Sequence, residues 1–301
     1  MLTAAALSFD PGTASSQILP WEVNVAEIES GRLRYLGERL SKQNLLYQFH
    51  LGNVTKADLV DTASQIDHVL GSLEKGSPSY SIPAPWTPSL REQVGRVDSV
   101  WGPLRSMAVA SPYDYFRLTR QFMPAENSGN DPLLLRHFDN QCQQLIRESE
   151  LLLGLYHEEC EKTGLAVCST ARTSGYAAML IERATKEAVY IVAGIDVEQN
   201  RARLGESLEL YRGVQKANDA DPFFAEALDP ERSASAKAAG ELFASLRRDW
   251  EQMRREFTIL AAGDEQNFDL ESLLRIQRRL VAKIDRLAAA LVRYASLAYG
   301  S

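Results

Sequence analysis

The chain has 301 residues, 45% of them apolar and 24% charged, with a formal net charge of −7 at pH 7. Such a length suffices for a buried core and for two domains, and the acidic balance excludes a general electrostatic attraction to nucleic acid or to an anionic membrane. No run approaches the roughly 18 apolar residues of a membrane span, so a membrane would be reached only through segments flanking this chain.

Apolar residues recur at helical spacing and strand-like alternation is scarce, which predicts an all-α fold. The opening MLTAAALSFDPG lacks a basic n-region and is short for a signal peptide, so it reads as the remnant of one or as the start of an excised piece. A first helix follows Pro20, carries Leu33, Leu36 and Leu40 on one face, and is expected to end at Gly52. Thr55 caps a second helix through Leu59, Ala63, Ile66, Leu70 and Leu73, closed by Gly76. The proline-rich GSPSYSIPAPWTPS is an ordered crossing. A third helix runs through Leu90, Val94, Val97, Trp101 and Leu104, with a kink or break expected at Gly102-Pro103. SPYDYFRLTRQFM reads as a short helix and PAENSGND as a loop. A fourth helix, from Pro132 to about Glu161, buries Leu134, Phe138, Cys142, Leu145 and Leu152, and is expected to continue past Gly164.

SGRLRYLGERLSK (30–42) aligns without a gap on SGYAAMLIERATK (174–186). Ser30, Gly31, Leu36, Glu38, Arg39 and Lys42 fall on Ser174, Gly175, Leu180, Glu182, Arg183 and Lys186. Second helices follow each stretch, the later one through Leu204, Leu208 and Tyr211. Third helices match Val94, Val97, Trp101 and Leu104 to Phe243, Leu246, Trp250 and Met253, and a last helix carries Leu273 to Leu291. The order predicts an internal duplication: two tandem four-helix bundles, 20–163 and 164–301, sharing or stacking on a long central helix around 132–192.

Cys142, Cys160 and Cys168 are odd in number and lack CxxC spacing, which indicates small buried packing rather than a disulfide framework or zinc site. His50, His68, His137 and His157 are scattered, and HEEC, with His157 and Cys160, comes closest to ligand spacing; no metal site is expected. Glu-x-x-His pairs of a di-iron bundle are missing, and Glu150 and His157 in ESELLLGLYHEE have no second copy. No nucleophile-base arrangement is visible, so neither catalysis nor a cofactor is expected. Trp101 and Trp250 lie on apolar stripes and read as core. Tyr113, Tyr115 and Phe116 read as packing under a loop or as a docking patch.

A glycine inside a helix costs roughly 1 kcal/mol relative to alanine, so Gly31 and Gly37 point to the close approach of a second backbone. Helix geometry places Arg34 away from the leucine stripe, beside Glu38 and Leu45. Two readings of Arg34 follow: an i,i+4 pair with Glu38, or one half of a guanidinium clamp for a small anion. Arg39 and Arg183 recur in both stretches and read as tethers to a neighbouring helix.

The Gly-x-x-Arg-x-Leu-x-x-Arg-x-x-Lys spacing of SGRLRYLGERLSK resembles the first-helix signature of the PilJ family, the extracytoplasmic helical sensing domains of type IV pilus chemotaxis receptors, related to the nitrate- and nitrite-sensing domains of certain histidine kinases. The similarity covers about residues 22–297 as two tandem units. It implies a non-enzymatic, periplasmic or otherwise extracytoplasmic module that detects a small ligand, such as an oxyanion, or a pilin-type protein, and relays it by helix movement. It also implies ligand-binding roles for Arg34, Gly31, Arg39 and Arg183, and a homodimer through the first helix that brings two Arg34 side chains together. Ala178 stands where the second unit would carry its own arginine, so an anion clamp within one chain is not expected. The alternative is a helical scaffold that binds a protein partner and no small ligand.

Overall fold

The computed structural model describes residues 18–110, 132–164 and 167–299. Several of its helices begin where a side chain accepts a backbone amide or a proline removes one. Glu22 accepts the Leu19 N–H at 2.8 Å to open α1 (Pro20–Gln48), and Asp58 accepts the Thr55 N–H at 2.7 Å to open α2 (Lys56–Lys75). Thr87 Oγ1 accepts the Leu90 N–H at 3.2 Å at the start of α3 (Pro88–Val109). The remaining helices are α4 (Pro132–Lys162), α5 (Val167–Val192), α6 (Val197–Ala220), α7 (Pro222–Ala227), α8 (Ala234–Ala261) and α9 (Leu270–Tyr299). Among the described residues no strand forms beyond one isolated bridge, Ser77 to Ile82, around the 3₁₀ turn Pro78–Tyr80, and no helix is long and apolar enough to cross a membrane. The fold is all-α.

Two sets of four helices close on themselves. In the first, α1 packs on α2 and α4, and α3 bridges α2 to α4; in the second, α5 packs on α6 and α9, and α8 bridges α6 to α9. Leu33, Leu36 and Leu40 are fully buried, as are the α2 and α3 stripes, and the α9 stripe from Leu273 to Leu291 fills the second set. Both tryptophans are core residues: Trp101 donates to Asp67 at 2.8 Å, and Trp250 stacks on Tyr211 with ring centres 3.7 Å apart. The sets meet side by side, α1 lying along α5.

Several expectations are corrected. The long central helix is two helices, because Gly164 adopts φ +72° after α4 ends at Lys162 and α5 starts at Val167; the sets therefore do not stack end to end. Cys160 and Cys168 form a disulfide across this break, with 5.9 Å between their Cα atoms, rather than packing as thiols, while Cys142 is a buried free cysteine. The first helix ends at Gln48, ahead of Gly52, in a turn with positive φ at His50, Gly52 and Asn53. α3 runs unbroken through Pro103, which faces solvent, so the Ser99 carbonyl deprived of its partner is on the water side. α7, which inserts Phe223 and Phe224 into the second core, is an addition to the expected order. Tyr113, Tyr115, Phe116 and the proposed helix and loop around them lie outside the described residues, as does the opening segment.

Candidate functional site

α1 is buried almost all round, yet one of its faces is polar: Glu27, Ser30, Arg34, Glu38, Ser41 and Lys42 are all inaccessible. α5 presents Ser174, Glu182, Thr185 and Lys186 in the same state. Such spacing puts each series on one stripe of its helix, and the stripes face each other. The crossing point is Gly31 against Gly175. A Cβ added to Gly175 would stand 3.6 Å from Gly31 Cα and 3.5 Å from Arg34 Nη2, ordinary contact distances, so the two backbones run close here without excluding a methyl group. Gly37 has a different neighbour, Ile146 of α4, whose Cγ1 would lie 2.8 Å from an added Cβ.

Below the crossing, charges pair reciprocally. Glu182 accepts from Arg39 Nε at 2.9 Å and from Lys42 Nζ at 2.5 Å, and Lys186 Nζ sits 2.7 Å from Glu38. The aligned positions thus exchange partners: Lys42 meets Glu182 as Lys186 meets Glu38. Each cluster is completed from its own side, by Gln277 on Lys42 at 2.9 Å and by Asp139 on Lys186 at 2.9 Å. Burial pushes the Glu182 carboxyl up, but Lys42 and Arg39 outweigh it and hold it below the usual range. Asp139 is likewise held low by Lys186 and Ser41 against its burial. Burial opposes the Lys186 charge, yet Asp139 and Glu38 together raise its pKa. Lys42, sharing one carboxylate with Arg39, is lowered by burial.

Glu187 lies one residue beyond this seam. Its carboxylate accepts from Arg183 Nε at 3.1 Å and Ser207 Oγ at 2.9 Å, and burial pushes its pKa up to about 7 against the pull of Arg183. A carboxyl whose folded pKa exceeds its unfolded value near 4.5 contributes stability while protonated, and that contribution is lost as pH rises from about 4.5 to about 7. Glu187→Gln is expected to flatten the stability profile across this window. Melting curves should show the variant gaining on the wild type between pH 5 and pH 8.

The four residues singled out from the sequence do not converge. Arg34 is fully buried, paired with Glu150 of α4 rather than with Glu38, and its guanidinium lies over Tyr176 at 5.6 Å; Gly31 is beside it. Arg39 is tied to Glu182 and Arg183 to Glu187 and Glu206, both tethers as expected. α5 of the same chain lies along α1, and Arg34 is buried in the single chain. HEEC is no ligand pair either: His157 Nδ1 lies 2.7 Å from Glu27. Ligand atoms of Glu27, Cys160 and Cys168 fall within 4.8 Å of one another, but the two sulfurs are bonded to each other and are not thiolates.

A cavity of about 720 Å³ lies where α1, α5 and α9 meet under the 77–82 turn. Its walls include Trp21, Val25, Ile28, Tyr80, Ile284 and Ala288, and its polar groups are Glu29, Arg32, Tyr35, Asp285 and Arg293. Arg32 Nη1 donates to both Glu29 oxygens at 3.1 and 2.9 Å and Arg32 Nε donates to Tyr35 Oη at 3.2 Å; Tyr35 donates in turn to Asp285 at 3.2 Å. Ala178 is part of the lining, so the missing arginine leaves room there. Sequence reading overlooked this site, although Ala178 marked it: a small residue where the aligned helix has its longest side chain. A smaller cavity of about 280 Å³, lined by Arg39, Lys42, Gln277 and Arg278 among others, adjoins it across Asp285.

The arrangement defines a class of protein: two closed four-helix sets in one chain, paired through a polar seam, with a ligand-sized cavity where they meet. No family model, curated protein or solved structure matches the chain.

Proposed function

We propose that the chain is a non-enzymatic sensory module of PilJ type, built from a duplicated helical unit, which takes a small ligand in the cavity between α1, α5 and α9. The observation that carries the reading is the position of that cavity: it touches both first helices and the terminal helix at once. A ligand bound there changes the packing of α9 against α5, and a small slide or rotation of α9 is the means of passing the signal on. Exchange of partners between Lys42–Glu182 and Lys186–Glu38 supports the duplication, since equivalent residues of two like units would meet in this way about a two-fold axis. The Cys160–Cys168 disulfide supports an oxidising, extracytoplasmic location. In the setting that the resemblance implies, type IV pilus chemotaxis-like signalling, the module would be the receptor's ligand-facing part.

Thermal unfolding against a broad panel of metabolites and oxyanions, nitrate and nitrite included, tests the reading on wild type, Ala288→Trp and Arg34→Ala. A ligand at a hundred times its dissociation constant adds about 2.7 kcal/mol to stability. The expected result is a melting shift of several degrees that persists in Arg34→Ala and disappears when tryptophan fills the cavity. A shift lost only in Arg34→Ala would move the site to Arg34. No shift with any compound overturns the sensory reading in favour of a scaffold.

A further inference from the structure

The charges that line the larger cavity are not equally satisfied. Arg32 closes on Glu29 through two hydrogen bonds and on the Tyr35 hydroxyl through a third, which leaves it neutralised. Arg39, the other arginine near Tyr35, stands over the ring at 5.2 Å and is committed to Glu182. Asp285 differs. Its hydrogen-bond partner is the neutral Tyr35 hydroxyl, at 3.2 and 3.3 Å to its two oxygens, and none of the ion pairs among the described residues includes it. The hydrogen-bonded run Glu29–Arg32–Tyr35–Asp285 therefore carries one net negative charge, and it resides at the Asp285 end.

We propose that this cavity binds a small molecule bearing a single protonated amine on an apolar or aromatic body, with Asp285 taking the ammonium. The proposal rests on the cavity being a ligand site at all. Size and lining suit such a compound: about 720 Å³ falls in the range of small-molecule sites, and Val25, Ile28, Ile284 and Ala288 supply apolar wall. Trp21, Tyr35 and Tyr80 add aromatic lining, of a kind that attracts a cation. Asp285 is solvent-exposed at the edge of the lining, and its hydrogen-bond partner is the neutral Tyr35 hydroxyl, so an ammonium would meet its carboxylate without displacing another cation. An anion fares worse, because Arg32 would have to abandon Glu29 while Glu29 and Asp285 repelled the newcomer.

Calorimetric titration of the whole chain with tryptamine, indole-3-ethanol and indole-3-propionate, repeated on Asp285→Asn, tests this. The three probes share a body and differ in the charge of the terminal group. Asparagine keeps an acceptor for Tyr35 at an exposed position, so the variant is expected to melt within a degree or two of wild type. Tryptamine should bind at least tenfold tighter than the alcohol, with no detectable binding of the carboxylate, and Asp285→Asn should erase the preference. Equal binding of the alcohol, binding of the carboxylate, or an unchanged tryptamine affinity in Asp285→Asn overturns the amine proposal and leaves the sensory reading standing. Silence from tryptamine and from a series of alkyl and arylalkyl monoamines overturns it as well; silence from the broad panel besides removes the sensory reading with it.

Discussion

Lys186→Met is expected to lower the melting temperature by about 6–10 °C at pH 7. Lys186 is the shared cation of Glu38 and Asp139, and all three side chains are largely withdrawn from solvent. Removing one member of a buried charge group costs about 3–5 kcal/mol, because the charges left behind are desolvated without compensation, and a chain of this size shifts by roughly 2 °C per kcal/mol. The sign of the pH dependence follows from the two shifts. Asp139, depressed below its usual 3.8, contributes stability that is present above that value and lost as pH falls through the folded pKa. Lys186, raised above 10.5, contributes stability that persists until pH climbs past its folded pKa. Wild type and variant should therefore be furthest apart between about pH 5 and 10, and should converge toward pH 4 as the stranded Asp139 carboxyl protonates. Adding Asp139→Asn to Lys186→Met should return part of the loss at pH 7. A deficit that is the same at pH 4 and pH 7 would show that Lys186 acts by packing alone.

Trp250→Ala is expected to cost as much, about 3–5 kcal/mol, for a different reason and with a flat pH profile. Trp250 is buried in α8 and stacked on Tyr211 of α6, so truncation removes a large apolar surface and opens a cavity that two rigid helices cannot collapse. Melting curves at pH 5 and pH 8 should show equal losses. Trp101→Ala, its counterpart in the first set, also frees Asp67, but that carboxylate keeps Arg105 at 2.7 Å and is half-exposed. The indole–aspartate bond should therefore add little to the truncation itself.

The helices were legible because their determinants are local. Leucine spacing, Thr55 and Gly76 as end signals and the proline that opens α1 are each read within a turn or two of chain. The close approach of Gly31 was legible too, since a helical glycine has few other justifications. What escaped depends on which helices become neighbours. Glu38 is four residues from Arg34, so an intrahelical partner looked sufficient; the structure instead sends Arg34 to Glu150, and it pairs Lys42 with Glu182, both more than a hundred residues away. The alignment held a signal for this. A glutamate and a lysine repeated at matched positions are what an exchange across a two-fold axis requires, but that inference needs α1 and α5 to be in contact. Cys160 and Cys168 were misread because an odd count without CxxC spacing says nothing about which cysteines a chain reversal brings together, and the helix was expected to continue through Gly164. The break at Gly164 and the disulfide are one error.

That break has another consequence. A charged, buried seam is an unfavourable basis for dimerisation between separate chains, which must overcome desolvation and dilution together. Here the connection between Lys162 and Val167 is short and stapled by Cys160–Cys168, so each half meets the other at an effective concentration of the order of millimolar or above whatever the protein concentration. Covalent linkage also releases the halves from identity. Two copies of one polypeptide must carry arginine on both sides of their axis or on neither; a single chain can keep Arg34 on one helix and set Ala178 on the other. Ala178, fully buried beside the larger cavity, is where that freedom is used: one helix of the seam carries a long cation and the other a methyl group.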